Sequence, residues 1–339
     1  MPTSTKTALI CGITGQDGAY LARWLLHHGY RVVGTSRDAQ VANRSNLRRL
    51  GIDSRLMLES MTLTDFRSVL DVLARQAPDE IYNLSGQSSV GLSFAQPVET
   101  LDSIAVGTLN LLEAIRFLKL PMRLYNAASS ECFGDSNGAP ANEDTPFRPR
   151  SPYAVAKASA FWQVANYREA YGLFACSGLL FNHESPLRPE RFVVQKIARA
   201  AQRIAAGSGE TLSLGRLDIE RDWGSAEEYV DAMWRMLQQP QPDDYVIATG
   251  RSHPLSDVVA TVFALLGLDW QDHVRVDPTL FRPTDLRVSR ADPTRAATRL
   301  GWQAQRQMAD VILEMATTSQ QAALDTVPAS ETRAPECAS

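Results

Sequence analysis

Lysine is scarce in this 339-residue chain: Lys6, Lys119, Lys157 and Lys196 are its four lysines. Lysine and arginine together number 34 against 38 acidic residues, for a net charge of -4. No basic excess is available to hold a polyanion, which argues against non-specific nucleic-acid binding. Cysteine is equally scarce. Cys11, Cys132, Cys176 and Cys337 are scattered, without metal-ligand spacing or a disulfide framework. We therefore expect no metal centre and a reducing, cytoplasmic setting. No stretch approaches the ~20 consecutive apolar residues of a membrane helix. Met1 to Lys6 is short and polar, and the apolar run behind it has only the length of a strand, unlike a signal peptide. No internal repeat is visible.

The remaining composition is that of a globular protein: 44% of residues are hydrophobic, ample for one large or two modest domains. Against the scarcity of lysine, Tyr153-Ala-Val-Ala-Lys157 stands out. On a helix these two side chains share a face. A phenol is a poor base at neutral pH, and a lysine ammonium one turn away is expected to favour the phenolate. Such a pair removes a proton from a hydroxyl while hydride leaves the same carbon. Just upstream, Asn126-Ala-Ala-Ser129-Ser130-Glu131 adds a hydroxyl and a carboxylate. The plain alternative is a surface tyrosine beside a solvated lysine, and the neighbouring motifs must decide.

The first motif is at the start of the chain. The apolar run Thr7 to Cys11 leads into Gly12-Ile13-Thr14-Gly15-Gln16-Asp17-Gly18, and a helical pattern of Tyr20, Leu21, Trp24 and Leu25 follows. Strand, glycine loop and helix in this order form a dinucleotide site, because glycines let the backbone approach a pyrophosphate and the helix start offers amide donors. A second strand, Arg31–Thr35, ends before Ser36-Arg37. Arg37 suits the 2′-phosphate of NADP, whereas Asp38 would suit the ribose of NAD, so the expectation is NADP with NAD less favoured.

Further strands are expected at 56–58, 80–84, 122–125 and 173–180, with helices at 65–75 and 109–118 and one running on from Lys157 to Tyr171. This alternation implies an α/β fold, a Rossmann-type doubly wound parallel sheet. Beyond it, Phe181-Asn182-His183-Glu184-Ser185-Pro186-Leu187-Arg188 reads as a polar loop at a strand end. We expect residues 1–188 to form the dinucleotide-binding domain, with later segments able to join it. Residues 189–317 are expected to form a smaller C-terminal substrate domain, with helices at 192–206, 229–237, 255–266 and 307–315. Residues 318–339 read as a disordered tail. Lys196, Arg221 and Arg282 are isolated cations in the second half, each on its own most simply a surface residue.

From about Leu9 to Trp302 the chain resembles the extended short-chain dehydrogenase/reductases that act on nucleotide sugars, and within them the GDP-mannose 4,6-dehydratase family. The stretches that carry the likeness are the glycine loop, Pro149–Lys157, Asn166–Gly172, Leu180-Phe-Asn-His-Glu-Ser-Pro186, Arg221-Asp-Trp-Gly224, Val246–Gly250 and Phe281-Arg-Pro-Thr284. The resemblance implies a hydro-lyase using tightly bound, recycled NADP. Tyr153 and Lys157 would oxidise C4 of the sugar, and Glu131 would take the C5 proton and help the C6 hydroxyl leave. Ser129 would bond the reacting oxygens. It further implies that Gly12, Thr14, Gly15, Gln16, Asp17, Gly18, Arg37, Leu63, Leu84, Gln87, Ser88, His183 and Arg188 face the cofactor. Ser88, Asn182, Lys196, Arg221 and Arg282 would face the GDP-sugar. A homodimer or homotetramer is expected on the same ground. Leu187 and Gln195 replace basic residues of the family, and Thr62 replaces an aspartate. The same reaction on a GDP-manno-heptose is therefore an alternative to GDP-mannose. A GDP-sugar reductase or epimerase would share the fold but needs no carboxylate at Glu131. A dinucleotide-sensing scaffold would need none of the acid–base set.

Overall fold

A computed structural model of the chain describes residues 5–136 and 138–324, with side chains up to Thr318. Twelve strands appear among the described residues: β1 Thr7–Cys11, β2 Arg31–Ser36, β3 Met57–Ser60, β4 Glu80–Asn83, β5 Arg123–Ser129, β6 Ala175–Leu180, β7 Asn182–Glu184, β8 Leu212–Leu214, β9 Glu220–Ser225, β10 Tyr245–Ile247, β11 Ser252–Pro254 and β12 Val274–Val276. Seven of them form one parallel sheet in the order β3-β2-β1-β4-β5-β6-β10. The chain order reverses beside β1, so a crevice opens at the carboxyl ends of β1 and β4, the place where ligands bind in such sheets.

A central parallel strand must be apolar on both faces, and β1 is. Successive side chains of a strand point to opposite faces. Ala8 and Ile10 accordingly join a core that includes Leu21 and Leu25 of the Gln16–His27 helix and Val230 and Met233 of the Ala226–Gln238 helix. Leu9 and Cys11 join the opposite core with Val69 and Leu73 of the Phe66–Gln76 helix, Leu111 and Ile115 of the Gly107–Leu118 helix, and Val164 of the Pro152–Tyr171 helix. A separate core gathers Ile197 and Ala201 of the Val193–Ala205 helix, Val258 and Phe263 of the Leu255–Leu265 helix, and Val311 and Met315 of the Met308–Leu324 helix.

Several expectations change. Segment 181–188 is not wholly a loop: β7 pairs in parallel with β9, matching Asn182 with Trp223 and Glu184 with Ser225, and β11 adds an antiparallel edge. Strand β10 and the Ala226–Gln238 helix, beyond residue 188, pack on the large sheet. The unpatterned tail does not begin at 318, because the last helix runs to Leu324. Its polar end, Thr-Thr-Ser-Gln-Gln-Ala-Ala-Leu, contains no glycine or proline to stop it. Residues 325–339, the rest of that expected tail, lie outside the described residues.

Candidate active site

Strand β5 ends at Ser129, and a single 3-10 turn, Ser130–Phe133, follows. The Ser129 hydroxyl caps that turn by accepting the Glu131 amide at 3.2 Å. The Pro152–Tyr171 helix starts beside it. Ser151 caps the helix through the Ala154 amide at 3.1 Å, and Pro152 fills its first turn, where no amide donor is needed. These two starts bring Tyr153 and Lys157 to the wall that holds Ser129 and Glu131. All four line one cleft of ≈ 370 Å³.

The electrostatics of the pair differ from the expectation. Tyr153 and Lys157 are 9% and 8% exposed. Burial drives the Tyr153 phenol above its ordinary 10.0, although its hydrogen bond with Ser129 works in the opposite direction, and Cys132 and Glu131 push it further up. Burial lowers the Lys157 ammonium to about 8. The Lys157 Nζ donates to the Ala127 carbonyl at 2.8 Å and stands 5.8 Å from the Tyr153 ring centre. Lysine therefore does not by itself hold the phenol in its ionised form, because desolvation outweighs an ammonium turned to a backbone oxygen. Burial likewise raises the Glu131 carboxyl above its ordinary 4.5, against the pull of Arg221 and Arg282 and with a push from Asp285.

The far wall carries cations. Arg221 of β9 is buried and donates to Asp285 at 3.3 Å, and the Arg282 guanidinium lies 3.5 Å from the same Asp285 oxygen. Lys196 donates to the Ser213 carbonyl at 2.7 Å. Asn182, Leu84 and Ser88 also line the cleft. An adjoining depression of ≈ 420 Å³ is lined by Arg216, Phe281, Arg282 and Asp285 among others.

The glycine loop lies at the opposite end. Gly12 adopts φ +81°, and a Cβ there would stand 2.9 Å from the Leu84 carbonyl. A Cβ on Gly18 would stand 2.4 Å from the Gly12 carbonyl. Gly15 heads the Gln16–His27 helix and gives it no side-chain cap. A tight glycine turn against an uncapped helix start fits a diphosphate. Asp17 is on the cleft wall, where it accepts His183 Nε2 at 2.9 Å; that imidazole and the Arg188 charge hold the carboxyl at about 2 despite its burial. The His183 ring is raised in turn by Asp17, against the desolvation that lowers it. The Arg188 guanidinium pairs with Glu184 at 3.2 Å and stacks 3.7 Å from the Phe192 ring centre.

Not every expected side chain reaches the cleft. Gln16 is buried, donating to the His183 carbonyl at 3.3 Å and accepting from Ser185 at 2.8 Å, so it ties the helix to β7. Gln87 donates to Ser89 and Thr100 at 2.8 and 3.2 Å and braces its own loop. The Leu63 carbonyl accepts Asn110 at 2.7 Å under Gly107. Thr14 gives its carbonyl to Asn46 at 3.0 Å. Arg37 is exposed past β2 with no side-chain bond to a described residue, while Asp38 turns back on the Gln40 amide at 2.8 Å. The sequence reading missed Asp285, Arg191 and Phe192, which line the cleft. Both Arg188–Arg191 and Arg282–Asp285 lie in turns outside any helix, so no periodicity in the sequence marked them.

The family model described as GDP-mannose 4,6 dehydratase matches residues 9–315. GDP-mannose 4,6 dehydratase 1 of Arabidopsis thaliana is 47% identical over 307 residues, 88% of this chain and 85% of that protein. The GDP-mannose 4,6-dehydratase of Sinorhizobium fredii is 44% identical, over 92% of this chain and 96% of that one. Among solved structures, UDP-glucose 4-epimerase of Thermus thermophilus, a complex with NAD, superposes with a TM-score of 0.83 at 25% identity, covering 93% of this chain and 99% of that one.

Proposed function

The chain belongs to the GDP-mannose 4,6-dehydratase family, and we infer that it is a hydro-lyase that removes water from a GDP-sugar, GDP-mannose first, to give the 4-keto-6-deoxy product. One observation carries the reading: Glu131 shares a cleft with Ser129, Tyr153 and Lys157. Exchange or reduction at C4 needs the tyrosine and lysine alone. A carboxylate held above 4.5 beside them supplies the base that an elimination across C5 and C6 requires.

In its phenolate form, which the bond to Ser129 favours against burial, Tyr153 takes the O4 proton, with Lys157 as the nearby ammonium. A bound nicotinamide supplies the hydride acceptor for C4 and the donor for C6. The new 4-keto group acidifies the C5 proton, which Glu131 removes and passes to the departing C6 hydroxyl, so that one water leaves. The proton held by Tyr153 then goes to C5. Arg221, Arg282, Lys196 and Asn182 are assigned to the GDP, and Ser88 to both ligands.

We assign the cofactor end to the loop Gly12–Gly18 with Leu84, His183 and Arg188. NADP is favoured over NAD because Arg37 has no partner among the described residues while Asp38 is engaged by its own backbone. The division of labour follows residue 188, with β10 returning to the first unit. The chain is assigned to the cytosol on its free thiols, Cys11, Cys132 and Cys176. A homodimer or homotetramer is proposed, built on the exposed apolar stripes of segment 97–106 and helix 152–171.

The test is incubation of the purified protein with GDP-mannose and catalytic NADP, followed by mass spectrometry. Loss of one water without net cofactor reduction is the expected result. A product that keeps its water while NADPH accumulates would overturn the dehydratase reading.

A further inference from the structure

Besides Lys157, six lysine and arginine side chains line the cleft: Arg188, Arg191, Lys196, Arg216, Arg221 and Arg282. Five of them have protein partners. Arg188 pairs with Glu184 at 3.2 Å, Lys196 donates to the Ser213 carbonyl at 2.7 Å, and Arg216 is bonded to Asp218 at 3.0 Å. Arg221 and Arg282 share Asp285 at 3.3 and 3.5 Å. Arg191 differs. It is exposed, and among the described residues it has no carboxylate or carbonyl partner; its guanidinium rests 5.0 Å from the centre of the Phe192 ring. The other guanidinium on that ring, Arg188, lies 3.7 Å from the same centre. Two cations on one aromatic ring repel each other, and an anion between or beside them relieves the repulsion. A planar arginine held by an aromatic ring is already arranged for two-point contact with a phosphate.

We propose that Arg191 is a further substrate-binding residue, a cation at the cleft mouth that takes a phosphate oxygen of the GDP-sugar diphosphate. The inference rests on the GDP-sugar reading above. Arg191 belongs with the substrate and not with the dinucleotide because it leads into the Val193–Ala205 helix, whose apolar face packs with the 255–265 and 308–324 helices, in a different core from the Gly12–Gly18 loop. Its neighbours on the cleft wall, Val193 and Lys196, start that same helix. Nothing in the proton transfers assigned to Tyr153 and Glu131 requires Arg191, so its contribution is to affinity.

The test uses the full chain and isothermal titration with GDP and, separately, with NADP, for wild type, Arg191→Ala and Arg191→Lys. Arg191→Ala is expected to weaken GDP about ten-fold, the scale of one charged hydrogen bond, and to raise KM for the GDP-sugar with kcat little changed. NADP affinity is expected to stay within about two-fold of wild type. Arg191→Lys is expected to restore part of the loss as a point charge, and the wild-type GDP affinity to fall more steeply with added salt than that of Arg191→Ala. Equal GDP affinity in wild type and Arg191→Ala overturns this inference alone. A loss confined to NADP overturns it by assigning Arg191 to the cofactor. A wild type that binds NADP but no GDP overturns the functional reading, and this inference with it.

Discussion

The carboxyl of Glu131 is pulled two ways, and the balance sets its usefulness. Desolvation raises its pKa from 4.5, Arg221 and Arg282 lower it, and Asp285 raises it again. A base works in its ionised form, so activity should fall as pH drops through that raised value. The acid limb of kcat/KM is expected above the 4.5 of an ordinary glutamate, and a limb at or below that value would contradict the assignment. Substitution separates the steps. Glu131→Gln should still oxidise C4, so the absorbance of reduced nicotinamide appears on adding GDP-sugar and persists, while loss of water slows by about 10²–10⁴-fold. Tyr153→Phe should show neither. Full dehydration by Glu131→Gln would remove it from the reaction. At this scale the residue types and their spacing were readable, since the helical repeat alone aligns Tyr153 with Lys157. Their charge states were not. Burial, which raises Tyr153 and brings Lys157 to about 8, depends on neighbours such as Cys132 and the Ala127 carbonyl that the fold supplies from β5 and its turn.

Among the elements, the glycine loop and the helix behind it form a tight joint. A Cβ on Gly18 would meet the Gly12 carbonyl at 2.4 Å and Ile13 Cα at 2.6 Å, both backbone atoms that cannot rotate away. Gly18→Ala must therefore push the Gln16–His27 helix off the loop. We expect a loss of about 1–3 kcal/mol in stability and weaker NADP binding, read by thermal unfolding with and without NADP. Gly91→Ala is the control: its Cβ would meet nothing nearer than 4.0 Å, and its place in the 90–95 helix makes alanine neutral or slightly stabilising. An unchanged midpoint for Gly18→Ala would remove the close-packing argument. The strands of the large sheet were legible because they are apolar runs between glycine and helical signals. Strand β9, Glu-Arg-Asp-Trp-Gly-Ser, was not. It buries Arg221 against Asp285 and Asp222 against the Thr249 and Gly250 amides, at 3.0 and 2.8 Å. Satisfied charges replace the apolar alternation by which strands are recognised, and β7, which depends on β9 for pairing, was hidden with it.

For the whole molecule the telling feature is the back of the helix that carries the proposed catalytic pair. Tyr153, Ala156 and Ala160 of the Pro152–Tyr171 helix pack with Ile104 in one small core. Val155 and Trp162, two turns apart on another face, are left open, Trp162 at 60% exposure. The neighbouring segment leaves Val98 at 71% and Leu101 at 44%. Apolar side chains left open on neighbouring helices support the proposed association site, where a second copy would offer the same stripe back across a two-fold axis. Burying it would also clamp the helix on which Tyr153 and Lys157 ride. Val155→Asp with Trp162→Glu should therefore convert the protein to monomers in sedimentation. Its circular dichroism should stay native, because substitutions at exposed positions cost within about 0.5 kcal/mol. The monomer should dehydrate GDP-sugar several-fold more slowly at unchanged NADP affinity, since the Gly12–Gly18 loop lies on a different helix. Wild-type protein that sediments as a monomer would remove the stripe as an interface. A monomeric variant with full activity would keep the interface but separate it from the chemistry.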